Sequence, residues 1–110
     1  MLPAIVLPFH DPQAVMLPYL WQLDPWLKHS FTTAYLGLSH PTQLQQPEAV
    51  ERLRSDPFYR LTFNPPGSQP GEHYRAVYRS AVDGSPPGQR LHLCDLDRLA
   101  FALLTGYRQA

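Results

Sequence analysis

Two aspartates one residue apart, Asp95-Leu96-Asp97, are the sharpest chemical signal in this 110-residue chain. On an extended segment, residues i and i+2 point to the same side, so both carboxylates can face one cation. Hard carboxylate oxygens suit Mn²⁺ or Mg²⁺, and a diphosphate would complete the coordination shell. The metal would then neutralise that diphosphate as it leaves. The pattern is short: with six Asp in the chain, chance alone produces it in about one shuffled sequence in three. The competing role for one of these aspartates is to cap the helical stretch that follows. His10 and His40, with Asp97, offer a second combination. Imidazole and carboxylate together suit zinc, manganese or iron and would support a small metal-dependent hydrolase, although histidines in loops are ordinarily solvated. His92, between apolar neighbours, reads as a hydrogen-bonded strand residue. Cys94 stands beside carboxylates that disfavour a thiolate, so it reads as a small buried apolar residue.

The elements that must position these residues alternate along the chain. Ala4-Ile5-Val6-Leu7 is a continuous apolar run, the pattern of a strand buried on both faces. Asp11-Pro12 predicts a helix start, with a helical stretch to about Leu23 that Pro18 kinks or restarts. Asp24-Pro25 repeats the signal and opens a short helix through Lys28. Phe31 to Leu38 is β-branched and aromatic, a second strand. Pro47 to Arg54 is a helix, with Glu48, Glu51, Arg52 and Arg54 on a solvated face. Phe58 to Phe63 is a third strand. Glu72 to Ala81 carries Tyr74, Val77, Tyr78 and Ala81 at i, i+3, i+4, i+7, an amphipathic helix. Arg90 to Cys94 is a fourth strand, and Leu96 to Leu104 a final helix. The connections are too long for hairpins, so the order predicts a parallel sheet with helices on both faces.

In such a sheet ligands bind beyond the carboxyl ends of the strands, where strand order reverses. The residues there are His10 and Asp11, Ser39 and His40, Asn64 and Gly67, and Asp95 and Asp97. The segment Pro65 to Gly71 lacks the Lys-Ser/Thr of a phosphate-binding P-loop and the spacing of a dinucleotide loop. From Phe63 onward, however, Asn64-x-x-Gly67, Gly71-Glu72-His73-Tyr74-Arg75 and Leu91-His92-Leu93-Cys94-Asp95-Leu96-Asp97-Arg98 together resemble the nucleotide-sugar half of GT-A glycosyltransferases. Ile5-Val6-Leu7-Pro8-Phe9-His10-Asp11 is similar to that family's opening strand. The resemblance implies a three-layer αβα fold with a mainly parallel four-stranded sheet of order 3-2-1-4, the Rossmann-like half of a GT-A domain. It implies a divalent metal, Mn²⁺ or Mg²⁺, and a diphosphate at Asp95 and Asp97, with Asp97 the more direct ligand. Pro8 and Asp11 would contact base or ribose, Asn64 and Gly67 would lie along the nucleotide, and Arg75 would stand near ribose or diphosphate. His73-Tyr74-Arg75-Ala76 departs from the family's usual Ala-Arg-Asn run.

Composition narrows the partners. Nine Lys/Arg balance nine Asp/Glu, which leaves no electrostatic footprint for nucleic acid and no polybasic segment for an anionic membrane. One cysteine excludes a disulfide framework within the chain, and no apolar run reaches a membrane span. The N-terminus lacks a basic signal-peptide start, so a cytoplasmic location is expected. Thirteen Pro and six Gly fall short of a disordered composition and lie between apolar segments. Residues 1–110 are expected to form one α/β domain, incomplete beside a full GT-A domain and inactive alone. Its expected partners are a nucleotide-diphosphate sugar and an unidentified acceptor. The reading from another class is a non-catalytic α/β module, a possible homo-oligomer that covers its open sheet edge and apolar face.

Overall fold

The apolar run at the start of the chain becomes the central strand. A computed structural model describes residues 2–104, and the side chains of all of these but 97 and 102–104. Strand β1 (Ala4–Phe9) pairs on one side with β2 (Ala34–Leu38) and on the other with β4 (Leu91–Leu93), while β3 (Tyr59–Phe63) lies outside β2. All three pairings are parallel, and the order is β3-β2-β1-β4. Val6 stands opposite Tyr35 on one neighbour and Leu93 on the other. The chain is a three-layer α/β fold, with the parallel sheet, strand order and flanking helices expected from the sequence.

Alternation divides β1 between two cores. Ile5, Leu7 and Phe9 face the larger one, with Leu20, Leu27 and Leu36, under helices α1 (Leu17–Ser30), α3 (Pro47–Arg54) and α5 (Leu96–Leu104). Ala4 and Val6 face the smaller one, with Tyr35, Val77 and Ala81, under α4 (Pro70–Gly84). Helix α2 (His40–Gln45) follows β2.

Several elements differ from the sequence reading in instructive ways. Helix α1 begins at Leu17, after Asp11, and runs unbroken through Pro25 to Ser30. Leu17, Leu20, Leu23 and Leu27 are all buried on one face of it. Each fully buried leucine contributes about 1.5–3 kcal/mol, which together outweighs the cost of an interior proline, about 3 kcal/mol. The buried stripe of α4 is His73, Val77 and Ala81, whereas Tyr74 and Tyr78 are exposed. The reason lies in β2. A Cβ on Gly37 would stand 2.7 Å from Val77 Cβ, so the helix sits on the sheet at a distance that tyrosines could not allow. Among the described residues no helix is long and apolar enough to cross a membrane.

Candidate functional site

Four parallel strands deliver four loops to one edge of the sheet, and a cavity of about 720 Å³ opens there. That volume lies within the usual range for small-molecule sites. Pro8, Phe9 and His10 reach it from β1, Ser39, His40 and Pro41 from β2, and Asn64, Pro65, Gly67 and Ser68 from β3. Asp95 and Leu96 close it beyond β4, and Pro70, His73 and Tyr74 wall it from the start of α4. Of the residues singled out from the sequence, Pro8, Asn64, Gly67 and Asp95 therefore come together, with His10, Ser39 and His40 among them.

The floor is a hydrogen-bond relay. His10 Nδ1 lies 2.7 Å from Ser39 Oγ, which lies 2.7 Å from Thr42 Oγ1. The buried Thr42 hydroxyl in turn accepts from the Asp11 backbone N–H at 2.8 Å. Gln43 Nε2 donates to both Leu38 O and Asn64 O, at 2.9 and 3.0 Å, and so ties the ends of β2 and β3 together. Beyond β3, Pro65-Pro66-Gly67-Ser68 turns with Gly67 at φ +78°, the left-handed position for which glycine is suited. Ser68 Oγ donates to Pro65 O at 2.8 Å to close that turn.

Asp11 is turned away from the cavity. Its side chain is buried, and its carboxylate accepts N–H groups from Val15, Met16 and Leu17, each at 2.9 Å. Ala14, in the left-handed region at φ 58°, lets the chain wrap round the carboxylate before α1 starts. Asp11 thus supplies the acceptor that the start of α1 requires. Arg75 lies outside the cavity, beside Tyr78, Arg79 and Asp83 on the outer side of α4.

Asp95 and Asp97 do not lie on an extended segment: β4 ends at Leu93 and α5 begins at Leu96. The apolar spacing of Leu96 and Ala100, both buried in the larger core, draws the chain into a helix at once. Asp95 O accepts from Leu99 N at 3.1 Å, so Asp95 stands at the head of α5. Its carboxylate nevertheless faces the cavity, where Oδ1 accepts from Tyr74 Oη at 2.6 Å and Oδ2 lies 4.0 Å from Arg98 Nε. The side chain of Asp97 lies outside the described residues, and with it the Asp97 part of both metal sites expected from the sequence. Among the described residues no three His, Cys, Asp or Glu side chains cluster closely enough to hold a metal ion. The Asp95 carboxylate is a hard oxygen donor of the kind Mn²⁺ and Mg²⁺ prefer.

No protein-family model, curated protein or solved structure matches this chain.

The site therefore rests on its own geometry, and that geometry adds residues that sequence reasoning passed over. His73 is buried beneath the cavity wall, and its Nδ1 is hydrogen-bonded to the amide nitrogen of Asn64. Burial, with a smaller contribution from His10, holds its imidazole below the ordinary histidine pKa. Tyr74 joins α4 to Asp95. Both lie in a segment whose helical spacing suggested packing alone. The available signal was position, since the first turn of a helix after a strand is where these folds place ligand contacts.

The other polar cluster lies at the opposite end of the sheet. Lys28 Nζ contacts Asp56 Oδ2 at 2.6 Å and Asp24 Oδ2 at 3.2 Å, and Tyr59 Oη donates to Asp24 Oδ1 at 2.5 Å. The hydrogen bond to Asp56 raises the Lys28 pKa, and the same bond lowers that of Asp56. This group joins α1 to the start of β3, which is a structural task.

Proposed function

We propose that this chain is a glycosyltransferase-like nucleotide-sugar-binding domain whose cavity takes a nucleoside diphosphate. The observation that carries the reading is the cavity itself. It gathers the ends of all four parallel strands, in the order β3-β2-β1-β4, with a carboxylate from Asp95 on its wall. Strands lie about 4.8 Å apart, so the ends of β3 and β4, three places apart, are separated by about 14 Å. That span is comparable to an extended nucleoside diphosphate, with the base toward Asn64 and Gly67 and the diphosphate toward Asp95. Asp95 and Asp97 would hold Mn²⁺ or Mg²⁺ there, and the bound metal would neutralise the diphosphate. Asp11 acts at one remove, by fixing the turn that follows β1, and Arg75 would meet the ligand only from the outer side of Tyr74.

The test is calorimetry with UDP, GDP and TDP, in Mn²⁺ and again in EDTA, with Asp95→Ala and Asp97→Ala alongside. Manganese-dependent binding that both variants lose is the expected result. A folded chain that binds none of the three contradicts the reading.

A second reading, an assembly module, has its own observation. Tyr78, Val82 and Leu93 are about half exposed side by side on the outer side of α4 and β4, and among the described residues β4 pairs only with β1. Sedimentation separates the two. Self-association abolished by Val82→Glu, without nucleotide binding, would favour assembly, whereas a monomer at high concentration would dismiss it.

A further inference from the structure

His73 carries the one buried side-chain nitrogen that, among the described residues, has no hydrogen-bond partner: Nε2. The residue is only 8% exposed and lines the cavity. A buried donor or acceptor left unmade is costly, so one that lies against a ligand-sized cavity calls for a partner. The neighbouring bonds establish which role Nε2 has. The Asn64 side-chain nitrogen lies 3.3 Å from Leu38 O, and a carbonyl can only accept, so the amide is oriented with its NH₂ inward. The same NH₂ meets His73 Nδ1. An amide nitrogen only donates, so Nδ1 must be the acceptor and the ring proton must sit on Nε2. Leu38 thereby orients Asn64, and Asn64 selects the histidine tautomer.

Resting on the nucleotide reading above, we infer that the Nε2–H of His73 is the group that recognises the base, by donating to a carbonyl oxygen of uracil, thymine or guanine. A neutral donor in a buried setting matches a neutral acceptor. An anionic phosphate would instead favour the imidazolium, which requires a proton on Nδ1 where the Asn64 NH₂ already points. His73 is bonded to Asn64, which follows β3, while its neighbour Tyr74 reaches Asp95 beyond β4. Nε2 is closed off in the free structure, so a base reaches it only if a side chain of the wall turns aside. His73 is then a specificity residue, and adenine, which has no carbonyl, is the base it disfavours.

Imidazole ¹H–¹⁵N spectra of the full chain test this directly. In the free protein His73 is expected to carry its proton on Nε2, and the opposite tautomer would overturn the assignment. On titration with UDP the His73 Nε2–H signal is expected to shift and to exchange more slowly with water, and ADP is expected to bind about tenfold more weakly. His73→Phe should lose the preference for UDP over ADP, while His73→Gln, which keeps an N–H donor, should retain most of it. If UDP binds while the His73 signal stays unchanged, this inference falls and the nucleotide reading stands. If neither UDP, GDP, TDP nor ADP binds the folded chain, both fall together. Should His73→Phe fail to fold, the wild-type titration still decides.

Discussion

Asp11 and Asp95 follow neighbouring strands, yet the fold gives them opposite tasks. Asp11 turns inward to accept three backbone N–H groups, and Asp95 faces the cavity. Removing the first carboxylate leaves buried donors unmet, so Asp11→Ala is expected to cost about 2–4 kcal/mol in urea unfolding, with cavity residues otherwise intact. The residue types at the strand ends were legible in the sequence, but their orientations were not. What turns Asp11 is a left-handed backbone at Ala14, a conformation that alanine rarely adopts and no motif announces. At the far end of the sheet, burial and then the Asp24 carboxylate hold Tyr59 protonated well above its ordinary pKa of 10.0. Above that pH the unfolded chain releases a proton that the folded chain keeps, so this contribution to stability is complete below about pH 10 and declines as pH rises further. The urea midpoint of the wild type should therefore fall from about pH 10 upward, and Tyr59→Phe should flatten that fall. His73 has the opposite sense. Its folded pKa is depressed below the ordinary 6.5, so the stability it contributes is complete above that value and is lost on acidification. A wild-type midpoint that drops below about pH 6.5 more steeply than that of His73→Phe is the expected outcome of the same experiment.

At the scale of elements, α4 brings His73 and Tyr74 to the cavity, and its seat is set by a residue on another element. Gly37 leaves room for Val77. A methyl group there forces the helix away from the sheet, so Gly37→Ala is expected to cost about 1–3 kcal/mol by overpacking and to weaken ligand binding as well. Thermal unfolding and calorimetry on that variant check both effects. A variant as stable as the wild type would show that α4 adjusts without strain. The alternation of strands and helices was readable because β1 and β2 are continuous apolar runs and the connections are long. The facing of α4 was not, since a stripe through Tyr74 and Tyr78 and one through His73, Val77 and Ala81 are both amphipathic. Only the small residue across the interface chooses between them. Helix α1 shows a similar override: Asp24-Pro25 reads locally as a new start, but four buried leucines hold one helix through it. Helix α2 had a local signal in Ser39-His40-Pro41, an N-cap followed by proline in the first turn, which the reading of that segment as a strand end obscured.

The whole molecule is a parallel sheet whose polar investment is unequal at its two ends. At one end Tyr59, Asp24, Lys28 and Asp56 satisfy one another. At the other, the cavity retains the buried, unmet nitrogen of His73 and the Asp95 carboxylate. That asymmetry is what a binding fold predicts, with ligand chemistry at the carboxyl ends of the strands and structural chemistry at the amino ends. The measurement that tests it most directly is a backbone ¹H–¹⁵N titration of the full chain with UDP and Mn²⁺, after a diamagnetic run with Mg²⁺. In Mg²⁺, the amides of Phe9, His10, Ser39, Asn64, Gly67 and His73 are expected to shift together. In Mn²⁺, signals nearest Asp95 should broaden first. Shifts centred on Lys28, Asp56 and Tyr59, or on Arg75, Arg79 and Val82, would contradict the account, as would a folded chain whose spectrum does not respond.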